Sequence, residues 1–206
     1  MQKKNYGKIL DDTLAELEKS GRKPKLMLHA CCAPCSSHTL LYLNGHFDIT
    51  VYFCNPNIAP EEEYEYRKNE LKRLIYELGL DIGIIDEDYH PEHFYALAKG
   101  LEALPERGER CQKCISYRLR KTGEKAKEHG CDYFTTTLTI SPHKDCEFIN
   151  ECGGEISAEV GISYLYSDFK KHDGYKHSIE LSKQYNLYRQ NYCGCIYSKK
   201  AAENRK

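Results

Sequence analysis

The chain has 206 residues, a net charge of −1 and eleven cysteines. This length favours a single catalytic domain over residues 1–206, large enough to bury a core without disulfide support. No apolar run is long enough for a signal peptide or a membrane span. We therefore expect a cytoplasmic protein whose thiols stay reduced, and in which cysteines serve metal binding or redox chemistry rather than a disulfide framework.

The predicted elements alternate between helices and strands. Leucines at helical spacing predict an N-terminal helix over residues 5–20, which Gly21 ends. Short apolar or β-branched runs predict five strands, over residues 25–29, 48–53, 81–85, 132–139 and 163–166. The remaining helices are predicted over residues 36–43, 61–78, 91–99, 111–129, 146–160 and 178–186. This order predicts an α/β fold: one compact domain with a mainly parallel sheet flanked by helices, in a Rossmann-like layered arrangement.

Three loops with reactive side chains follow three of the predicted strands. The sequence CCAPC follows the first strand, Cys54-Asn55-Pro56 the second, and Ser141-Pro142-His143-Lys144 the fourth. Ligands of parallel α/β sheets bind beyond the carboxyl ends of the strands. We therefore expect these loops to meet at one edge of the sheet and to form an active site there.

Seven of the cysteines fall in three tight groups, Cys31-Cys32-x-x-Cys35, Cys111-x-x-Cys114 and Cys193-Gly194-Cys195. Adjacent cysteines leaving a strand point to different sides, so core packing explains the first group poorly. The Cys-x-x-Cys spacing is typical of zinc ribbons, iron–sulfur proteins and thioredoxin-like pairs. Two thiolates from each of the first two groups can hold Zn²⁺ or a [4Fe–4S] cluster, and spacing alone does not choose between them.

The third group has only a glycine between its cysteines, which is tight for chelation of one metal. Cys193 and Cys195 are predicted either to cycle between a dithiol and a strained disulfide or to bind a second metal. Basic neighbours of the pair favour a thiolate and an anionic substrate. The four single cysteines are expected to fill small spaces in the core: Cys54, Cys131, Cys146 and Cys152.

Charge is distributed unevenly along the chain. Residues 170–206 carry nine Lys or Arg against three acids, whereas residues 1–169 carry twenty-one against twenty-eight. A second basic run, residues 107–127, holds eight Lys or Arg against two acids. Such runs are usually solvated helix faces, but both contain a cysteine pair, and the alternative is a binding site for an anionic substrate beside a redox site. We expect the basic segment 170–206 to complete the active site.

Five motifs together resemble a known family. They are LHACCAPCSS, YFCNPNI-x-P-x-EEYEYR, ERCQKCISYRLRKTGEKA, FTTTLTISPHK and RQNYCGCIYSK, and they span the chain from about Lys25 to Lys199. In this order they are similar to the QueH family of epoxyqueuosine reductases. The resemblance implies reduction of the epoxide of epoxyqueuosine at the wobble position of tRNA, the last step of queuosine synthesis.

The resemblance also implies a set of site residues. Cys31, Cys32, Cys111 and Cys114 would ligate a [4Fe–4S] cluster, and Cys193 and Cys195 would be the redox-active pair. An additional mononuclear iron is implied, with Cys35, Cys193 or Cys195 as its ligands. The partners would be tRNA carrying epoxyqueuosine and a small electron-donor protein.

Epoxide reduction also needs acids and a surface for tRNA. Opening the ring places negative charge on oxygen, so an acid must deliver a proton, and the candidates are Tyr192, His143 and His29. His29 is alternatively a core histidine or a donor to cluster sulfur. We expect the anticodon loop to dock on the basic runs, with the flipped base stacked on a tyrosine. The residues predicted to bind substrate are Ser141, Lys144, Arg118, Arg120 and Lys199.

Other classes of protein share parts of this pattern. A zinc-stabilised RNA-binding module would use one four-thiolate site, but the chain has more cysteines than a closed site needs. A thiol–disulfide oxidoreductase would use Cys193 and Cys195 alone. An ATP-dependent tRNA-modifying enzyme would need a glycine-rich phosphate loop after the first strand, where this chain has CCAPCSS.

Overall fold

The fold, in a computed structural model that describes residues 4–204, is built around a five-stranded sheet. The strands are β1 (Lys25–His29), β2 (Asp48–Phe53), β3 (Gly83–Asp86), β4 (Tyr133–Thr136) and β5 (Ser163–Tyr164). Their order is β3-β2-β1-β4-β5, and every pair is parallel. Leu28 of β1 lies opposite Val51 of β2 and Thr135 of β4. The predicted α/β fold with a mainly parallel sheet is confirmed.

Helices connect the strands and cover both faces of the sheet. They are α1 (Tyr6–Ser20), α2 (Ala33–Asn44), α3 (Glu61–Glu77), α4 (Pro91–Ala98), α5 (Glu109–Glu128), α6 (Cys146–Val160), α7 (Gly174–Gln184) and α8 (Ile196–Glu203). Among the residues described, no helix combines the length and the apolar character needed to cross a membrane.

Two segments differ in type from the prediction, and several boundaries shift: β3 begins at Gly83, β5 ends at Tyr164 and α7 begins at Gly174. The predicted strand over residues 132–139 is wrong beyond Thr136, where a 3-10 helix, Thr137–Ile140, begins. The hydroxyl oxygen of Thr136 accepts a hydrogen bond from the backbone N–H of Leu138 at 3.1 Å, which favours the turn over a longer strand. The second difference is α8, which the sequence did not predict. The Sγ atom of Cys195 caps it by accepting from the backbone N–H of Ser198 at 3.4 Å.

The interior of β1 is buried on both sides, as expected for a parallel strand between layers of helices. Leu26 and Leu28 pack in the core formed with α1, α2 and α3, whereas Met27 packs in the core formed with α5 and α6. Three single cysteines are buried as predicted: Cys54, Cys131 and Cys152. The fourth, Cys146, is only partly buried and begins α6.

Helix α7 packs against α2 through a pair of histidines. The Nδ1 atoms of His38 and His177 lie 3.0 Å apart, so one ring presents an N–H and the other a lone pair. Burial, reinforced by the neighbouring His177, lowers the pKa of His38 to about 4. The contact therefore requires neutral His38, and it holds α7 beside the first turns of α2.

The Gly153→Ala variant should be less stable than the wild type. A Cβ atom at Gly153 of α6 would overlap the buried ring of Tyr164. Alanine favours a helix by about 1 kcal/mol over glycine, but forcing an atom into a packed core costs about 1–3 kcal/mol. We expect a net loss in the free energy of unfolding, measured by urea denaturation. The control is Gly45→Ala, where a Cβ atom meets open space, and an equal loss there would contradict the packing argument.

The free energy of unfolding should fall as pH is lowered from 6.5 to 4. The pKa of His38 is lower in the folded protein than the ordinary value of 6.5, so the unfolded chain takes up the proton first and stability is lost in that interval. The His38→Gln variant should show a shallower pH dependence in urea denaturation. Part of the slope should remain, because burial also lowers the pKa of His29 to about 4. An unchanged slope in His38→Gln would contradict this assignment.

Candidate metal and redox site

The first cysteine group lies where β1 ends and α2 begins. Cys32 has an extended backbone and caps α2, and Cys35 lies in the first turn of that helix. This geometry brings the sulfurs of Cys31, Cys32 and Cys35 within 4.8 Å of one another, close enough to hold a metal ion together. The sulfur atoms of Cys31 and Cys32 are 3.7 Å apart. The three thiols form one cluster that can bind a metal.

The three thiols differ in their pKa values. Hydrogen bonds from Cys31 and Cys35, helped by the charge of Arg67, hold the pKa of Cys32 well below its ordinary value. Hydrogen bonds with Cys31 and Cys32, together with burial, raise the pKa of Cys35. Cys32 is therefore the thiol of the group that most readily becomes the thiolate, the form that binds metal.

The second and third cysteine groups meet in a small cavity beside the first. Cys111 and Cys114 lie at the start of α5, and they line a space of about 20 Å³ with Cys193 and Cys195. Burial raises the pKa of Cys114 to about 11. Cys111 and Cys114 lie outside the group whose sulfurs approach within 4.8 Å. A four-iron cluster separates its ligand sulfurs more widely than a single ion does, so a shared cluster does not require that approach.

The turn at Gly194 is held against the loop that follows β2. Gly194 has a φ of 131°, and its carbonyl oxygen accepts from the backbone N–H of Ala59 at 3.0 Å. The carbonyl of Cys193 accepts from Nη1 of Arg67 at 3.1 Å. A Cβ atom at Gly194 would lie 3.0 Å from Cγ1 of Ile58. Both the backbone conformation and the close approach therefore require glycine.

Cys193 and Cys195 are free thiols, as are all eleven cysteines among the residues described. The two sulfurs contact different groups. Nζ of Lys144 donates to Sγ of Cys193 at 2.9 Å. Sγ of Cys195 lies 3.3 Å from Oγ of Ser198.

A larger cavity of about 270 Å³ opens beside the thiols. Its lining includes two predicted ligands, one cysteine of the third group, a buried arginine, a largely buried lysine and a tyrosine: Cys31, Cys35, Cys193, Arg118, Lys144 and Tyr192. Ser141 and the exposed His143 also line it. The volume suits a small ring system rather than a long ligand. Oε1 of Gln190, in the same lining, is buried without a hydrogen-bond partner in residues 4–204.

Three cations surround the thiols. Arg67 and Arg118 are 1% and 2% exposed, and the side chain of Lys144 is 10% exposed. Burial alone would lower the pKa of Lys144, but the contacts with Cys193 and Glu106 raise it. Arg67 forms an ion pair with Glu63 at 2.7 Å. Three largely buried cations so close together are stable only beside negative charge, which thiolates can supply.

The predicted proton donors lie in different surroundings. His29 is fully buried: its Nδ1 is 2.8 Å from Oγ1 of Thr136, and its Nε2 is 3.3 Å from the carbonyl oxygen of Cys54. It is a satisfied core histidine, and its low pKa keeps it neutral. The hydroxyl of Tyr192 donates to the carbonyl of Ala59 at 3.3 Å, and burial raises its pKa. Tyr192 and His143 remain beside the cavity, whereas His29 does not line it.

The predicted substrate-binding residues lie in different parts of the structure. Ser141 and Lys144 line the large cavity, but Arg118 is buried and cannot form part of an exposed phosphate-binding face. Arg120 lies on the outer side of α5 and pairs with Glu159 of α6. Lys199 is partly exposed on α8 outside the cavity lining.

Three residues of the site were not identified from the sequence. Arg67 belongs to one of the motifs that carry the family resemblance. The helix around it is rich in charged residues, so the sequence does not indicate that its side chain is buried. Asn57 lines the small cavity, and its Oδ1 is buried without a partner in the part of the chain described. Gln190 has the same property in the large cavity. For the loop after β2, the asparagines beside Pro56 were the only feature of the sequence that indicated a functional role.

The chain matches known proteins along most of its length. The family model described as epoxyqueuosine reductase QueH matches residues 26–201. A protein of that name from Streptococcus pyogenes is 43% identical to this chain, over 97% of this chain and 80% of the relative. The relative from Thermotoga maritima is 34% identical, over 84% of this chain and 89% of its own length. The relative in Haemophilus influenzae is 44% identical over 84% of this chain and 71% of its own length.

A solved structure shares the fold. It is a predicted subunit of a tRNA methyltransferase from Methanocaldococcus jannaschii, with a TM-score of 0.50 over 77% of this chain and 74% of that chain. At 14% identity, this likeness concerns the α/β fold alone. The family model spans all three cysteine groups, and the relatives exceed 30% identity over most of the chain. The chain therefore belongs to the epoxyqueuosine reductase QueH family.

Proposed function

We propose that this protein is an epoxyqueuosine reductase that converts the epoxide of epoxyqueuosine at the wobble position of tRNA to the alkene of queuosine. The observation that carries the proposal is the cavity of about 270 Å³, which is bordered by Cys31, Cys35 and Cys193. It combines space for one ring system with sulfur ligands on its wall, in a chain of this family. The tRNA substrate places the reaction in the cytoplasm.

The reaction needs electrons, protons and a binding surface. The epoxide takes up two electrons and two protons, and the products are an alkene and water. We propose Cys31, Cys32, Cys111 and Cys114 as ligands of a [4Fe–4S] cluster, which would supply electrons one at a time when bound. Cys35, Cys193 and Cys195 remain as ligands for an additional iron. A small electron-donor protein would reduce the centre.

The chemistry of the donor set fits such a cofactor. Four thiolates around iron carry net negative charge, and the buried cations Arg67, Arg118 and Lys144 offset it. The surrounding donors are sulfurs, which favour iron–sulfur clusters and zinc over magnesium or calcium. Asn57 lines the same small cavity, and its buried Oδ1 has no hydrogen-bond donor within residues 4–204, so this acceptor is free for a ligand.

Protonation of the substrate oxygen requires an acid beside the large cavity. His143 and Tyr192 both line it, so either group can reach a ligand there. Tyr192 keeps its proton at neutral pH, since burial raises its pKa. We propose these two residues, and not His29, as sources of the proton.

Metal analysis of anaerobically purified protein tests the cofactor. The wild type should contain about four irons and four acid-labile sulfides per chain, with a fifth iron where the second site is filled. The Cys32→Ala and Cys111→Ala variants should lose most of the sulfide and the visible absorbance. Cys131→Ala, a cysteine buried away from the cavities, is the control and should retain both. One zinc per chain without sulfide would rule out this cofactor and favour the zinc module.

Binding of tRNA should depend on the exposed charges of α8. The Lys199→Gln/Lys200→Gln double variant should bind tRNA more weakly, and the slope of log K against log salt should fall by about one unit for each phosphate that the variant no longer neutralises. The rate at saturating tRNA should change little, because neither lysine lines the cavity. The control is Lys19→Gln/Lys23→Gln, which precedes β1 at the opposite edge of the sheet. Equal effects of both pairs would contradict docking on α8.

A further inference from the structure

Arg118 is a buried cation without a buried acid. It lies on α5 one turn after Cys114 and is 2% exposed. Within residues 4–204, no carboxylate forms an ion pair with it, in contrast to Arg67 and Lys144. Its side chain lines both the small and the large cavity. A permanent charge in such a place is costly unless negative charge exists or forms beside it.

The hydrogen bonds of Arg118 leave donors free. The guanidinium has five N–H groups. Nε donates to the carbonyl of Cys114 at 3.2 Å, and Nη1 makes a long contact with Oδ1 of Asn55 at 3.4 Å. Among the described residues, no hydrogen bond joins Arg118 to a sulfur, whereas Lys144 donates to Sγ of Cys193. The remaining N–H groups have no hydrogen-bond partner among the described residues, so they are available to a ligand in the cavities that Arg118 lines.

We propose that Arg118 is a catalytic residue that donates hydrogen bonds to the epoxide oxygen of the substrate while the first C–O bond breaks. This inference rests on the proposed function. Reductive cleavage of that bond turns the oxygen into an alkoxide, and Arg118 stabilises the developing charge. After the second C–O bond breaks, two electrons and two protons have been consumed, and the oxygen leaves as water.

An arginine suits this role better than an acid does. The guanidinium stays protonated in proteins, so it offers charge and hydrogen bonds throughout without giving up its proton. The proton itself comes from a separate acid, for which His143 and Tyr192 line the same cavity. Preorganised donors aimed at a developing oxyanion are worth about 10²–10³ in kcat when one is removed.

The test compares Arg118→Gln with the wild type in anaerobic assays on tRNA carrying epoxyqueuosine. We expect kcat to fall by about 10²–10³-fold, with KM, iron and sulfide nearly unchanged. Added guanidinium chloride at millimolar concentration should restore part of the rate in Arg118→Ala. The matched control is Arg22→Gln, an exposed arginine before β1, which should keep wild-type kcat and not respond to guanidinium.

A second, conservative variant distinguishes the loss of a catalytic role from a failure to fold. Arg118→Lys keeps the charge and loses the planar fork of donors, so we expect intact cofactor content and a kcat about tenfold below wild type. Full activity of a folded Arg118→Gln would overturn the proposal.

The midpoint potential of the metal centre distinguishes a purely electrostatic effect of Arg118 on that centre from direct contact of Arg118 with the epoxide oxygen. We expect the potential of Arg118→Gln to fall, because a buried positive charge beside the thiols is lost, and kcat to stay low even with a stronger reductant. If a stronger reductant restores wild-type kcat, Arg118 only tunes the centre and does not contact the oxygen. Wild-type protein that fails to reduce the epoxide would overturn the proposed function itself, whereas active wild type with active Arg118→Gln would overturn only the role of Arg118.

Discussion

The backbone contacts of the Cys193–Gly194–Cys195 turn hold the site together. The carbonyls of Cys193 and Gly194 accept from Arg67 and Ala59 at 3.1 and 3.0 Å. These bonds join the C-terminal segment to helix α3 and to the loop after β2, a strand that lies beside β1 in the sheet. Removing Arg67 would leave the partly buried Glu63 without its ion-pair partner and would free the turn. The thiols at the two ends of the chain share one cavity because of this contact.

Buried charge gives the cavity its chemical character. Arg67 and Lys144 each contact a group that compensates them, namely Glu63 and the Cys193 sulfur. Arg118 forms no ion pair with a carboxylate among the described residues and borders the space where a ligand would bind. Charges interact more strongly in a site that excludes water, so an anion formed on a substrate there is stabilised more than it would be at the surface. The same burial keeps His29 neutral and removes it from the acid–base chemistry.

Much of the scaffold was predictable, and the errors have local causes. Apolar strand cores and capped helices predicted the parallel sheet, because each pattern has a period that only one element satisfies. The β-branched run after Thr136 favoured a strand, but the Thr136 hydroxyl stabilises a turn at that point. Helix α8 was missed because its cap is the sulfur of Cys195, which is not a usual capping residue. Arg118 was expected on a phosphate-binding face, since helix charge does not show which side is buried.

The sequence alone determined the α/β fold, the three cysteine groups and the loops expected at one edge of the sheet, because residue spacing and periodicity are local properties. Only the tertiary structure decided which thiols lie together, that Cys193 contacts Lys144 instead of Cys195, and that Arg118 is buried between two cavities. These facts depend on contacts between residues far apart in the chain. Burial and pairing of charge arise only when the helices pack against the sheet, so no local pattern encodes them.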